Sequence, residues 1–81
     1  MVRFVVEQFR RAWRERLTAR ERQVTALVAR GWSNRSIGGR LQIGEKTVEK
    51  HVSASFRKLG LHTRTELAFR AVAAFGGAPP L

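Results

Sequence analysis

Cysteine is absent from this 81-residue chain, which excludes a disulfide framework and any thiolate metal site. Histidine is scarce as well, since His51 and His62 alone are too few for a histidine-based metal site without carboxylates. No apolar run approaches the roughly 18 residues of a membrane span, and the charged first residues do not resemble a secretion signal. These absences predict an intracellular protein of the cytoplasm, with no metal, no cofactor and no membrane partner.

Acidic residues are also few, and the charge balance suggests a polyanionic partner. Six Asp and Glu stand against 16 Lys and Arg, a net charge of +10. A basic composition shared with the rest of an arginine-rich proteome is the alternative explanation. The excess charge is uneven: nine basic and three acidic residues lie in 18–62, but two basic and one acidic residue follow residue 62. The positive charge is therefore concentrated in the first three quarters of the chain.

The chain shows no strand pattern, because no segment alternates apolar and polar residues for long enough, whereas helical spacing recurs throughout. We predict an all-α fold: a small helical bundle with a helix-turn-helix, four core helices and an amphipathic N-terminal helix over 2–17. Thr18 and Thr63 each begin a capping box with a Glu three residues later, and Ser33 caps a short helix. The expected organisation is an N-terminal helix or linker over 1–16, one domain over 17–75 and a flexible tail over 76–81.

The central part of the chain predicts a helix-turn-helix. A short helix through Leu41, a tight turn over 42–44 and a longer helix over 45–59 follow one another. In such a pair the second helix enters the major groove of double-stranded DNA. Gly38 permits close approach of the two helices, and Val48 points back into the core. Gly39 suggests no role beyond close packing.

Several motifs at consistent spacing resemble one family. They are LTARERQV (17–24), GWSNRSIG (31–38), IGEKTVEKHV (43–52), RKLG (57–60) and RTEL (64–67). Together they resemble the LuxR-type DNA-binding domain of bacterial transcription regulators, which serves as the output module of many response regulators and as small stand-alone regulators. The resemblance covers about residues 17–75 and implies sequence-specific DNA binding. Ala19, Ser36 and Gly44 depart from the family pattern without removing the chemistry that faces DNA.

The outward face of the 45–59 helix supplies the candidate base-reading residues, because an inward Val48 leaves the opposite face free. They are Glu49, Lys50 and Ser53, and the family resemblance implies the same positions. Lys50 can donate to guanine, and Glu49 can accept from cytosine. Glu49 is unusual because it is an acid facing a polyanion. Its alternatives are to orient a neighbouring Lys or Ser53, or to form a solvated pair with a Lys.

Phosphate contacts, which position a protein without reading sequence, are predicted at a second set of residues. The start of the short helix favours an anion through its free N–H groups. For His51 a half-buried packing role is the alternative, and for Ser33 a cap alone. The candidates are Ser33, Asn34, Lys46, Thr47, His51, Arg57 and Lys58.

Aromatic and apolar residues outside this pair have alternative roles. Trp13 and Trp32 stand among basic residues, where they could stack on single strands, but we predict that both belong to the core. On the last helix, Leu67, Ala71 and Phe75 face inward. An apolar second face made by Phe69, Val72 and Ala73 therefore predicts a homodimer through this helix. Helix 2–17 has three open roles: it packs on the domain, extends the dimer or links to another domain.

The function predicted from these patterns is transcription regulation by a nucleoid-associated dimer that reads paired half-sites, with RNA polymerase as a further candidate partner. One alternative is the promoter-reading helix-turn-helix of a sigma factor. Another is a membrane or protein-interaction module that uses helix 2–17. Enzymatic activity is not expected, since the chain has no recognisable nucleophile, base and orienting group and no Gly-rich phosphate loop.

Overall fold

The computed structural model describes the backbone of residues 2–81 and the side chains of residues 3–81. Within that part of the chain the secondary structure consists of helices, and no strand occurs, which confirms the predicted all-α class. The five helices are α1 (Val2–Glu15), α2 (Ala19–Ala29), α3 (Asn34–Leu41), α4 (Glu45–Leu59) and α5 (Arg64–Phe75).

Local capping chemistry sets most of these helix boundaries. Thr18 Oγ1 accepts from Glu21 N at 3.1 Å while Glu21 Oε1 accepts from Thr18 N at 2.8 Å, a complete capping box for α2. Thr63 and Glu66 repeat it for α5 at 3.1 and 3.0 Å. Helix α4 ends at Gly60, whose φ of 70° lies in the left-handed region that glycine adopts without strain.

The core lies where α2 packs against α3, α4 and α5. Each helix contributes a stripe of buried apolar side chains at helical spacing, so one contiguous cluster forms. Helix α4 contributes Val48 to this cluster, and Val48 has no exposed surface. The members without exposed surface are Val24, Ala26, Ile37, Val48 and Leu67.

Helix α1 packs on the domain through aromatic side chains. Phe9 and Trp13 are each 3% exposed, and both rings meet Phe75 edge-on at centroid distances of 6.1 and 6.0 Å. Arg10 Nε donates to the carbonyl oxygen of Ala74 at 2.7 Å. Of the three roles open for helix 2–17, the structure therefore shows packing on the domain.

The turn between α3 and α4 depends on two close backbone approaches. A Cβ atom built on Gly38 would lie 2.8 Å from the carbonyl oxygen of Ile43, so no larger residue fits without movement. Gln42 adopts a left-handed conformation at φ 57°, although it is not a glycine. Gly39 differs from its neighbour, since a Cβ there meets open space, and the suggested close packing at Gly39 was wrong.

The segment after α5 lies against the domain at one point. Pro79 is buried, and its carbonyl oxygen accepts from Arg30 Nη1 at 2.9 Å. This contact falls inside the segment 76–81, for which we expected a flexible tail.

Candidate nucleic-acid interface

Helix α4 presents two faces with opposite properties. Val48 is fully buried, whereas Lys46, Glu49, Lys50 and Ser53 are all exposed. Together with Ala54 and Arg57 they line one shallow concavity along the outer side of the helix. Its charged residues are three basic side chains and one acid, as the helical spacing predicted. The three candidate base-reading residues therefore lie together on one accessible surface.

Glu49 makes no ion pair within 4 Å in the described part of the chain. Neither Lys46 nor Lys50 is bound to it, so the solvated pair weighed for this acid is not present. The carboxylate and both ammonium groups are exposed on the same surface. All three are accessible to a partner that docks against α4.

The packing of α3 under α4 presents this surface. Gly38 approaches the turn that precedes α4, and its would-be Cβ also lies 3.7 Å from Val48 Cγ2. Gly44 is the N-cap of α4 and makes no side-chain hydrogen bond to the helix. The first N–H groups of α4 are therefore without a side-chain partner from the cap, at the end of the helix that attracts anions.

The start of α3 is held by internal contacts. Ser33 Oγ accepts from Ser36 N at 3.1 Å, which is the predicted cap. Asn34 Oδ1 accepts a hydrogen bond from Arg64 Nη2, and Arg64 Nη1 donates to the carbonyl oxygen of Trp32 at 3.2 Å. Arg64 was not among the predicted site residues, because no local pattern links residues 30 positions apart. Its guanidinium adds positive charge beside Ser33 and Asn34.

Lys58 is paired with an acid of the domain. Its ammonium donates to Glu21 Oε1 at 2.7 Å and to Oε2 at 3.0 Å, joining α4 to α2. Burial raises the pKa of Glu21, but hydrogen bonds from Lys58 and from the Thr18 N–H, together with the Lys58 charge, hold it below its ordinary value. The phosphate role predicted for Lys58 stays a prediction, and it competes with this pair, because a nearly buried carboxylate already neutralises the ammonium.

The remaining phosphate candidates differ in exposure. Thr47 and Arg57 are exposed, with Arg57 at the far end of the α4 concavity. His51 is half-buried, and its carbonyl oxygen accepts from Ser55 Oγ at 2.7 Å. Its position at the edge of the core fits the packing role that was weighed for it.

The two tryptophans take part in packing. Trp13 belongs to the core, as predicted. Trp32 is half-buried against that core, and the guanidinium carbon of Arg40 lies 5.7 Å from its ring centroid. A stacking platform for single strands would require open aromatic faces, whereas Trp13 is buried and Trp32 is half-buried with Arg40 over its ring.

The last helix has one buried and one exposed apolar face. Leu67, Ala71 and Ala74 are buried. On the other side Phe69 is 73% exposed and Val72 is 62% exposed, with Ala73 exposed beside them. Two large apolar side chains that are mostly exposed on one helix form an unusual surface for a small protein.

Among the described residues, no helix combines the length and the apolar character that crossing a membrane requires. On the apolar side of α1, which a membrane-surface helix would need, Phe9 and Trp13 are buried in the core, whereas Val5 is exposed. No three His, Asp or Glu side chains in residues 3–81 are grouped closely enough to hold a metal ion.

The arrangement defines a helix-turn-helix protein, in which α3 supports an exposed, charged α4. The family model described as "Bacterial regulatory proteins, luxR family" matches residues 15–71. The chain therefore belongs to the luxR family, as the motifs predicted. This is a family of regulatory proteins and not of enzymes.

Several characterised regulators are similar over this domain. The transcriptional regulatory protein DegU of Brevibacillus brevis is 43% identical over 69% of this chain and 24% of its own length. The nitrate/nitrite response regulator protein NarL of Escherichia coli (strain K12) is 44% identical over 64% of the chain and 24% of its own. The DNA-binding transcriptional activator DevR/DosR of Mycobacterium tuberculosis is 38% identical over 79% of this chain and 30% of its own length.

These relatives are much longer than the matched domain. The match to DegU and to NarL spans about a quarter of each relative. No solved structure matches the chain.

Proposed function

We propose that this protein binds double-stranded DNA in a sequence-specific manner and regulates transcription. The name of DegU states transcriptional regulation for that protein, and the name of DevR/DosR states DNA binding and transcriptional activation. One observation carries the proposal: α4 buries Val48 completely while it exposes Lys46, Glu49, Lys50 and Ser53 on one surface. A helix that is packed against the core on one face, with accessible polar donors and acceptors on the opposite face, suits the major groove. This function belongs to the cytoplasm, at the nucleoid.

Glu49, Lys50 and Ser53 are the proposed base readers. All three lie in the N-terminal two thirds of α4, the part of a recognition helix that meets base edges. Lys50 donates to guanine O6 or N7, Glu49 accepts from cytosine N4, and Ser53 does either. Since Glu49 is unpaired within the described residues, it stands to contribute specificity by rejecting bases that present acceptors.

Phosphate contacts come from the residues that flank this surface. Lys46, Thr47 and Arg57 lie along α4, and Ser33 and Asn34 lie at the start of α3 beside Arg64. His51 is half-buried, unlike Lys46, Thr47 and Arg57. Such contacts set position and affinity, while base contacts set sequence preference.

We further propose a homodimer through α5. Phe69, Val72 and Ala73 expose an apolar face, and a second copy would cover it with the same face under two-fold symmetry. A dimer would read two half-sites about one helical turn apart. Sedimentation velocity tests this step: Val72→Glu should shift a dimer to monomers, while Thr65→Glu on the exposed part of the same helix should not.

Selection of bound duplexes from a random DNA library tests sequence-specific binding. We expect an enriched site, and Lys50→Ala should relax the preference at one base pair by about 1–3 kcal/mol. Lys46→Ala should weaken binding to all duplexes alike. It should also lower the slope of log affinity against log salt concentration by about 1. Equal affinity for every duplex after selection would contradict the proposal.

A further inference from the structure

A second basic surface lies between α1 and the C-terminal end of α4. Its lining includes Arg11 from α1, Arg16 from the turn after α1, Arg57 and Lys58 from α4, and Arg70 from α5. Glu15 is the one acidic residue that lines it. Three helices thus bring basic side chains to one groove, which we call the α1 groove.

The arginines of this groove are free of internal partners. Within the described part of the chain, Arg11, Arg16, Arg57 and Arg70 donate no side-chain hydrogen bond and form no ion pair. Arg10, Arg22, Arg30 and Arg64 behave differently, because each donates to a carbonyl oxygen of the protein. Only Lys58 is already neutralised, by Glu21. The groove therefore gathers unpaired guanidinium groups, which bind phosphate well.

The α1 groove is continuous with the surface proposed to face DNA. Arg57 lines both the groove and the concavity that holds Lys46, Glu49, Lys50 and Ser53. Lys46 and Arg57 are separated by eleven residues of one helix, about 16 Å along its axis. The major groove is about 12 Å wide, so a helix crossing it with its first turns inside places its last turn over a sugar–phosphate strand.

From this geometry we infer that the α1 groove binds the phosphate backbone of the duplex beside the recognition site, with Arg11 of α1 and Arg16 just after it as contacts. The inference rests on the proposed DNA binding by α4. It adds a sequence-independent contact in which Arg11 precedes residue 15, where the family match begins. The contact anchors α1 on DNA that flanks the site.

The test compares two double variants with the same loss of charge. Arg11→Ala/Arg16→Ala removes the groove contacts, while Arg3→Ala/Arg14→Ala removes two exposed arginines of α1 that do not line the groove. Affinity for a duplex from in-vitro selection is measured by fluorescence anisotropy over a range of salt. The groove variant should lower the salt slope by about 1.8, or roughly 30-fold in affinity near 0.15 M salt if binding at about 1 M is equal. The control should change the slope by less than half of that.

Trimming the base pairs that flank the selected site on either side separates the possible results. The unaltered protein should bind the trimmed duplex less tightly than the untrimmed one. For the groove variant, trimming should cause no further loss of affinity. Equal slopes for the two double variants, with selective binding intact, would overturn the α1 groove alone. Absence of binding to any duplex by the unaltered protein would overturn the proposed function with it. Circular dichroism of both variants checks that the exposed substitutions leave the helices folded.

Discussion

Lys58 Nζ lies 2.7 Å from Glu21 Oε1, and the same carboxylate closes the capping box at the start of α2. The contact ties the last turn of the proposed recognition helix to the helix at the centre of the core. Glu21 is 6% exposed, so its charge is largely withdrawn from water and needs both the ammonium and the Thr18 N–H. One acidic residue thereby serves a local role in capping and a long-range role in placing α4.

Replacing Glu21 should therefore be costly. Glu21→Gln keeps an acceptor for Thr18 N but leaves the Lys58 ammonium, one-third exposed, without a counter-charge. We expect a loss of about 2 kcal/mol in the free energy of unfolding, below the 3–5 kcal/mol of a fully buried pair. Glu66→Gln is the matched control, because Glu66 holds the same capping position in α5 and has no lysine partner. In urea unfolding, Glu66→Gln should lose less than about 1 kcal/mol in the free energy of unfolding. Equal losses for the two variants would contradict the role of Lys58.

The same pair predicts how stability depends on pH. The pKa of Glu21 is lowered in the folded protein relative to its ordinary value of 4.5, so at acidic pH the unfolded chain binds more protons than the folded one. The contribution of Glu21 is thus fully present above pH 4.5 and is lost as the pH falls through the lower folded-state value. The difference between the unaltered protein and Glu21→Gln should shrink over that interval in urea unfolding series. A difference that stays constant down to low pH would contradict this linkage.

Local chemistry explains why the sequence predicted the helices well. The capping residues Thr18, Ser33 and Thr63 act on N–H groups three residues away, and Gly60 ends α4 through its own backbone. The buried face of α4 followed from Val48 by helical spacing alone. These features depend on neighbours in the chain, so a linear pattern contains them.

Features that the sequence did not predict involve residues distant in the chain. Lys58 and Glu21 are 37 positions apart, and Arg64 and Asn34 are 30 apart. Lys58 looked like one more base on an outward face, since helical spacing specifies direction but not what a neighbouring helix places there. Gln42 was missed for another reason: left-handed backbone at a non-glycine residue has no strong sequence signal.

Adjacent glycines of α3 should respond to alanine in opposite ways. Gly38→Ala places a Cβ 2.8 Å from the carbonyl oxygen of Ile43, which is backbone and cannot move aside cheaply. We expect a loss of about 1–3 kcal/mol, as for overpacking elsewhere. Gly39→Ala meets open space inside a helix and should gain up to about 1 kcal/mol from helix propensity. Thermal unfolding of the two variants checks this, and losses of similar size at both positions would contradict the geometry.

A serine at the N-cap of α4 should stabilise the protein. Gly44 has φ −67° and ψ 153°, which any residue adopts, and a Cβ there would meet only Thr47 Oγ1 at 4.0 Å. Gly44→Ser adds a hydroxyl that can accept from the first turn, and it also restricts the unfolded chain, so we expect a gain of about 0.5 kcal/mol or more in stability. Gly44→Ala restricts the unfolded chain without the acceptor and should be less stable than the serine variant by about 0.5–2 kcal/mol. Equal unfolding free energies for the two variants would mean that the serine hydroxyl makes no cap at this position.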